Sequence, residues 1–154
     1  MAHDDAEARA LASNMVDELA QAWAAGDGAA FARPFAERAH FIAFDGTVLK
    51  GPAEIGSFHQ QAFSTHLAGT WLGVRLDEVR LLAPGIAIVF THGGIERKGE
   101  SQGALIGHSV QTFVMSQLDR HPVIESFQNT RDRPIRGPRQ AQVWRDFDEA
   151  WNRL

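Results

Sequence analysis

The sequence of 154 residues contains neither cysteine nor tyrosine. Without cysteine there is no disulfide bond, no thiolate nucleophile and no thiolate-bound metal, so histidine and carboxylate side chains are the strong metal ligands that remain. Positive charge is also scarce, because 15 basic residues stand against 19 acidic ones and the net charge is −4. That balance argues against nucleic acid and anionic membranes as partners.

Long apolar runs and several functional motifs are missing too. No segment approaches the roughly 20 apolar residues of a membrane-spanning helix, and residues 1–10 lack the basic and apolar parts of a secretory signal. We therefore expect a cytoplasmic protein. Phosphate-binding loops, dinucleotide fingerprints, the hydrolase nucleophile elbow and the zinc-protease helix motif are absent. The sequence predicts no cofactor.

Apolar spacing predicts helices first and strands afterwards. Apolar side chains recur every three or four positions from Asp5 to Ala25, Asp27 can cap a short second helix, and Gly51-Pro52 opens a third. β-branched and apolar segments then predict strands, the first two joined by a hairpin turn at Asp45-Gly46: Ala39–Phe44, Thr47–Leu49, Thr70–Ala83, Ile86–Arg97, Ala104–Leu118 and Val123–Arg131. Helices followed by an antiparallel meander are typical of an α+β domain, which we place at residues 1–131.

Residues 132–154 form a separate tail. A basic linker rich in proline and glycine precedes a stretch in which apolar residues return at helical spacing, namely Val143, Trp144, Phe147, Ala150, Trp151 and Leu154. We expect an amphipathic helix that docks on its own domain or on a neighbouring subunit. The alternative is a lid over a ligand pocket.

Three segments together resemble one known superfamily: residues 23–27 with 35–39, residues 44–46 with 50–55, and residues 127–131, which read Phe-Gln-Asn-Thr-Arg. They are similar to motifs of the nuclear transport factor two-like superfamily, which includes SnoaL-like polyketide cyclases and ketosteroid isomerases. The third segment resembles the final strand of the SgcJ/EcaC branch of that superfamily.

The resemblance implies a fold, partners and a biological setting. The fold is α+β, with a cone-shaped, curved and mostly antiparallel sheet covered by three N-terminal helices, to which this tail adds a C-terminal helix. Relatives imply a homodimer and a pocket for a small hydrophobic organic ligand, in bacterial polyketide or enediyne natural-product metabolism. The fold serves enzymes, binding domains and assembly domains alike. The activity therefore stays open between a cofactor-free cyclase, isomerase or dehydratase and a non-catalytic binding or accessory domain.

The candidate catalytic residues are two histidines and an asparagine. Ala43 stands where ketosteroid isomerases have their general base, and their tyrosine is missing. Strand alternation instead places His92 and His108 on apolar sides of their strands. A hairpin symmetric about Glu100 would set them directly opposite, where a neutral imidazole could act as acid or base and Asn129 could orient a ligand. The alternative is that backbone groups or a partner subunit satisfy both rings.

Six further side chains are candidates for lining the pocket: Trp23, Phe44, Phe58, His59, Trp71 and Phe127. Aromatic side chains suit an apolar pocket, although each could equally belong to an ordinary core. We expect no metal site, since two histidines without a clustered carboxylate make an incomplete ligand set.

Overall fold

The computed structural model describes residues 4–97, 105–132, 138–151 and 153. The elements in chain order are α1 (Asp5–Ala25), α2 (Gly28–Ala32), β1 (Phe35–Ile42), β2 (Val48–Lys50), α3 (Gly51–Phe63), β3 (Thr70–Ala83), β4 (Ile86–Arg97), β5 (Leu105–Ser116), β6 (Val123–Arg131) and α4 (Pro138–Trp151). The predicted α+β class, with three helices ahead of a meander, is confirmed.

Six strands form one open, curved sheet in the order β2-β1-β6-β5-β4-β3. Neighbouring strands are antiparallel except β1 and β6, which run parallel. α1 packs on β3, while α2 packs on α3 and α3 packs on β1. The N-terminal helices therefore cover one side of the sheet, which we call the inner face; the opposite side is the outer face.

Burial alternates along the central strands and identifies the two faces. In β4 the inner residues Val89 and Thr91 are buried, whereas Phe90 and His92 on the outer face are only half-buried. The hydrophobic core consists of inner-face residues and the buried sides of α1, α2 and α3.

Local signals set the helix ends. Asp4 caps α1 by accepting a hydrogen bond from the Glu7 N–H, and Gly26 ends the helix in the left-handed conformation at φ 65°. Asp27 accepts from the N–H of Ala30 and caps α2. The predicted starts of both helices are confirmed, because side-chain caps and a C-terminal glycine act within a few residues.

The backbones of α2 and α3 touch at Gly28. A Cβ at this position would lie 2.4 Å from the carbonyl oxygen of Gly56 and 2.7 Å from the backbone nitrogen of Gln60. The Gly28 N–H also donates to Gln60 Oε1 at 2.9 Å. Glycine is required here because the two helices leave no space for a side chain.

The hairpin predicted at Asp45-Gly46 is confirmed, since β1 and β2 pair antiparallel on either side of it. Asp45 Oδ1 accepts from the Thr47 N–H at 3.0 Å, and that hydrogen bond lowers the pKa of Asp45. Gly46 completes the turn at φ 88°. Asp45 is therefore a turn-forming residue.

Boundaries of β1, β2 and β5 differ from the prediction: β1 ends at Ile42 instead of Phe44, and β2 spans Val48–Lys50 instead of Thr47–Leu49. Two further differences have a structural reason. β1 begins at Phe35 instead of Ala39, because Phe35 already pairs with Ile124 in β6. A parallel partner so distant in sequence leaves no local signal. The fifth strand ends early, at Ser116, because Gln117 turns away at φ 55°.

α4 stands apart from the other elements. The side chains described in it, at 139–143, 145–146 and 149–150, are all exposed, and α4 packs extensively on none of the other described helices and strands. The side chains of Trp144, Phe147 and Trp151, on which the predicted apolar stripe depends, lie outside the described part of the chain.

Candidate functional site

Two neighbouring rows of side chains cross the inner face. Cα pairing across β4, β5, β6 and β1 aligns the first, which we call the aromatic row: Val89, Phe113, Phe127 and Phe41. Two positions further along the strands, the same pairing aligns the polar row: Thr91, Gln111 and Asn129. The rows lie about 7 Å apart, because side chains on one face recur every second residue.

The aromatic row packs against itself. The rings of Phe41 and Phe127 are stacked with centroids 4.7 Å apart, and Phe113 follows at 6.1 Å from Phe127. Phe113 is 1% exposed and Val89 is fully buried. This row is ordinary hydrophobic core and contains no polar side chain.

His59 of α3 lies against the aromatic row and is 4% exposed. Ring centroids of Phe31, Phe41 and Phe63 are 4.2, 5.1 and 5.9 Å from its own. Nδ1 lies 2.8 Å from the Ile55 carbonyl oxygen, so Nδ1 carries the proton and donates it. Burial lowers the pKa of His59 to about 4, while the bond to Ile55 opposes that shift. His59 is therefore a neutral packing residue near pH 7.

Thr91 and Gln111 of the polar row are buried and connected by hydrogen bonds. Thr91 Oγ1 donates to Gln111 Oε1 at 2.7 Å, and Gln111 Nε2 donates to Ser109 Oγ at 2.6 Å. Ser109 Oγ in turn lies 3.4 Å from the Gly93 carbonyl oxygen. Thr91, Ser109 and Gln111 are 2%, 5% and 7% exposed, so water does not compete for these bonds.

Asn129 ends the polar row with an unsatisfied acceptor. Its Oδ1 is buried and has no hydrogen-bond partner within the described part of the chain, although Gln111 pairs with it across the strands. The register of β1 and β6, carried one residue beyond Ile42 and Gln128, places the small side chain of Ala43 beside it. A buried amide oxygen without a donor costs about 1–3 kcal/mol.

The aromatic candidates divide between the core and the surface. Trp23 is buried, with Nε1 donating to Thr70 Oγ1 at 3.0 Å, and Phe127 belongs to the aromatic row. Phe44, Phe58 and Trp71 are 48%, 38% and 37% exposed. Trp71 lies on the outer face, where it donates to Glu96 at 2.6 Å. The structure therefore does not bring the six residues into one pocket.

The two candidate histidines lie on the outer face, and the prediction that they face each other inside the cone is wrong. His92 pairs with Val110, and a bulge between Gly93 and Ile95 shifts the register on the way to the turn. Glu100, the assumed centre of that turn, lies outside the described residues. This bulge shifts the register by one residue, and on neither side of it does the pairing set His92 opposite His108.

A carboxylate lies beside each of the two histidine rings. His92 Nδ1 contacts Asp77, and that hydrogen bond lowers the pKa of Asp77. His108 Nδ1 lies 3.8 Å from an Asp132 oxygen. The side chains of His92 and His108 are 39% and 48% exposed, so both lack the enclosed apolar surroundings that acid–base chemistry was predicted to use.

Thr91, Ser109 and Gln111 were missed by sequence reasoning. The signal was present: Gln111 alternates with Phe113 and Met115 in β5, which marks its side as the inner one. A glutamine between such residues is a buried polar group that needs partners. Within the described part of the chain, no group of three or more His, Asp or Glu side chains could hold a metal ion.

None of the described helices has both the length and the hydropathy of a membrane-spanning segment. No protein-family model matches the chain, and no curated protein sequence matches it.

Solved structures do match. A domain of unknown function with a cystatin-like fold from Nostoc punctiforme is 28% identical, with a TM-score of 0.76 over 96% of this chain and 98% of that one. An NTF2-like protein with a cystatin-like fold from Novosphingobium aromaticivorans is 14% identical, with a TM-score of 0.69 over 87% and 88% of the two chains. This chain has the NTF2-like, cystatin-like fold. These likenesses confirm the fold expected from the three sequence segments, while the SgcJ/EcaC branch stays a prediction.

Aln2 from Streptomyces is also similar, at 19% identity and a TM-score of 0.67, over 79% of this chain and 88% of that one. Its match leaves out a share of the chain large enough to contain the tail. The Nostoc match leaves out less than the length of residues 138–154. That neighbour therefore has a segment corresponding to at least part of α4.

Proposed function

We propose that this chain binds a small organic molecule on the inner face of its sheet, at the polar row. The observation that carries the proposal is the buried Oδ1 of Asn129, which lacks a donor among the described residues. A ligand hydroxyl or N–H would supply that donor, and the molecule would lie beside the aromatic row. The ligand class is therefore a small, mostly apolar molecule with a hydrogen-bond donor.

Binding without catalysis is the function that these groups favour. The polar row offers hydroxyl and amide groups, which orient a ligand but do not exchange protons near pH 7. His59, the histidine beside the aromatic row, has a pKa of about 4, and its Nδ1–H already donates to the Ile55 carbonyl oxygen. His92 and His108 lie on the other face. A cofactor-free cyclase, isomerase or dehydratase would need an acid or base that this row does not supply.

The proposed setting is bacterial natural-product metabolism. It rests on the similarity of residues 127–131 to the SgcJ/EcaC final strand, and Asn129 is the central residue of that segment. The segment thus contributes both the aromatic row, through Phe127, and the unsatisfied acceptor.

Calorimetric titration with p-cresol tests the binding proposal, with 4-methylanisole as its matched partner because methylation removes the hydroxyl donor. We expect p-cresol to bind at least about tenfold more tightly, the value of one hydrogen bond to a buried acceptor. Asn129→Leu should abolish that preference. Gln128→Leu, on the outer face of the same strand, should keep it. Equal binding of both compounds, or an unchanged preference in Asn129→Leu, would overturn the proposal.

For the tail we propose docking on a second copy of the chain. The described side chains of α4 are all exposed. The outer face carries half-buried apolar residues, namely Ile42, Ile88, Phe90, Val110 and Val114. A second copy of the chain would cover such an apolar face.

Light scattering on the full chain and on a chain ending before Gln140 tests this dimer. We expect a dimer for the full chain and a monomer for the shortened one. A monomeric full chain would overturn the dimer, and a shortened chain that remains dimeric would overturn the role of α4.

A further inference from the structure

Arg131 lies two residues after Asn129 on the inner side of β6, opposite Ser109 of β5. Its guanidinium carbon lies 4.2 Å from the ring centroid of Phe44. Within the described part of the chain it forms neither a hydrogen bond nor an ion pair. Arg131 is therefore an exposed cation next to the proposed ligand, and no described residue pairs with it.

The stacking on Phe44 leaves the binding edge of Arg131 free. A cation–π contact uses the flat face of the guanidinium, whereas its five N–H donors point outward in the plane. The ring thus restricts the guanidinium without occupying a donor. A planar fork with free donors matches a carboxylate, which can accept two parallel hydrogen bonds.

The neighbouring acids are engaged elsewhere. Asp45 accepts from the Thr47 N–H, and Asp132 lies 3.8 Å from His108. The charge of Arg131 contributes only the weakest of the influences that lower the pKa of Asp45. Among the described acids, neither Asp45 nor Asp132 forms an ion pair with Arg131, so its donors are available to an anion from outside the chain.

We infer that the ligand is a small organic acid, whose hydroxyl or N–H donates to Asn129 while its carboxylate binds Arg131. This inference rests on the proposed function and adds the ligand's charge to it. Asn129 and Arg131 are successive residues on one face of a strand, about 7 Å apart along β6. A ligand spanning them has its donor and its carboxylate on opposite sides of one ring, as in hydroxylated aromatic acids.

Calorimetric titration of the full chain with 4-hydroxyphenylacetate and p-cresol tests the inference, since the two probes share the phenol and differ in the carboxylate. We expect the acid to bind at least about tenfold more tightly, as a charge-assisted hydrogen bond predicts. Arg131→Gln should remove this gain and leave p-cresol binding unchanged. Arg120→Gln removes an equal charge from the turn between β5 and β6 and should keep the gain.

The possible failures are distinguishable. An acid that binds no more tightly than p-cresol, or a gain that survives in Arg131→Gln, would overturn the carboxylate contact while leaving the site at Asn129 intact. Binding of p-cresol that ignores Asn129→Leu would overturn the proposed function itself, and this inference with it. Phe44→Leu should reduce the gain in part, because Arg131 would lose its stacking surface.

Discussion

The aromatic row and the polar row lie two residues apart on the same strands, yet they differ in how fully their side chains are satisfied. In the aromatic row Val89, Phe113 and Phe41 are buried, and the partly buried Phe127 stacks on Phe41. In the polar row the hydrogen bonds run from Thr91 through Gln111 to Ser109, and the oxygen of Asn129 is left over. We therefore expect substitutions in the aromatic row to act mainly on stability and substitutions at Asn129 to act mainly on the proposed binding.

Alanine substitutions in β5, one in each row, should have the largest effects on stability. Phe113→Ala should lower the free energy of unfolding by about 3–5 kcal/mol, because a fully buried ring leaves a cavity. Gln111→Ala should cost about 1–3 kcal/mol, the penalty for buried groups that lose their partners. Urea unfolding measures both. Equal losses would remove the distinction between the rows.

Lowering the pH should destabilise the folded chain through His59, which packs against the aromatic row. Its pKa is about 4 in the folded chain against 6.5 for a free imidazole, so the unfolded chain binds the proton first. Stability is complete above pH 6.5 and is lost as pH falls towards 4. Between pH 7.5 and 5 the loss should be about 2 kcal/mol.

Chemical denaturation of wild type and His59→Phe at both pH values checks this prediction. The phenylalanine variant should lack that part of the pH dependence, whereas His121→Gln, at an exposed turn, should retain it. A wild-type loss that persists in His59→Phe would place the titrating group elsewhere.

Alanine substitutions at Gly28 and Gly56, where α2 and α3 touch, should differ in their effect on stability. Gly28→Ala should destabilise the chain by about 1–3 kcal/mol, because its methyl group would meet backbone atoms that cannot move away. At Gly56 a Cβ would lie 3.3 Å from the Gly28 carbonyl oxygen, and the gain in helix propensity of about 1 kcal/mol offsets the crowding. Thermal unfolding should therefore show a drop for Gly28→Ala and little change for Gly56→Ala. Similar melting temperatures would contradict the close backbone contact.

The smallest change in stability is expected at Asn129, whose Oδ1 carries the proposed binding. Asn129→Leu should leave stability unchanged or raise it by up to about 1 kcal/mol, since it removes a buried acceptor that has no donor. Thr91→Val, which removes a satisfied hydroxyl, should lower stability by about 1 kcal/mol. Urea midpoints compare the two. A clear loss in Asn129→Leu would mean that the amide has a structural partner.

Much of the fold follows from short-range signals. The ends of β3, β4 and β6 coincide with the prediction, because Pro84-Gly85 and Pro122 interrupt the strands locally. The start of β1 depends on β6, almost ninety residues later, and is therefore invisible in the local sequence.

The site was harder to predict. The alternation of side chains along a strand sorts residues into two faces, but it does not show which face the helices cover. His92 and Thr91 are neighbours on opposite faces, and the apolar company of Ile88 and Phe90 made the outer one look enclosed. The observed strand pairing also differs from a hairpin symmetric about Glu100, since His92 pairs with Val110. Asn129 was identified correctly as an inner residue because Phe127 shares its side.

A crystal structure of the chain grown with p-cresol would show directly whether a ligand hydroxyl reaches Asn129. We expect the phenol oxygen about 2.7–2.8 Å from Asn129 Oδ1, with the ring beside Phe127. Density for p-cresol only on the outer face, with Asn129 Oδ1 accepting from a protein group such as Gln111, would contradict it.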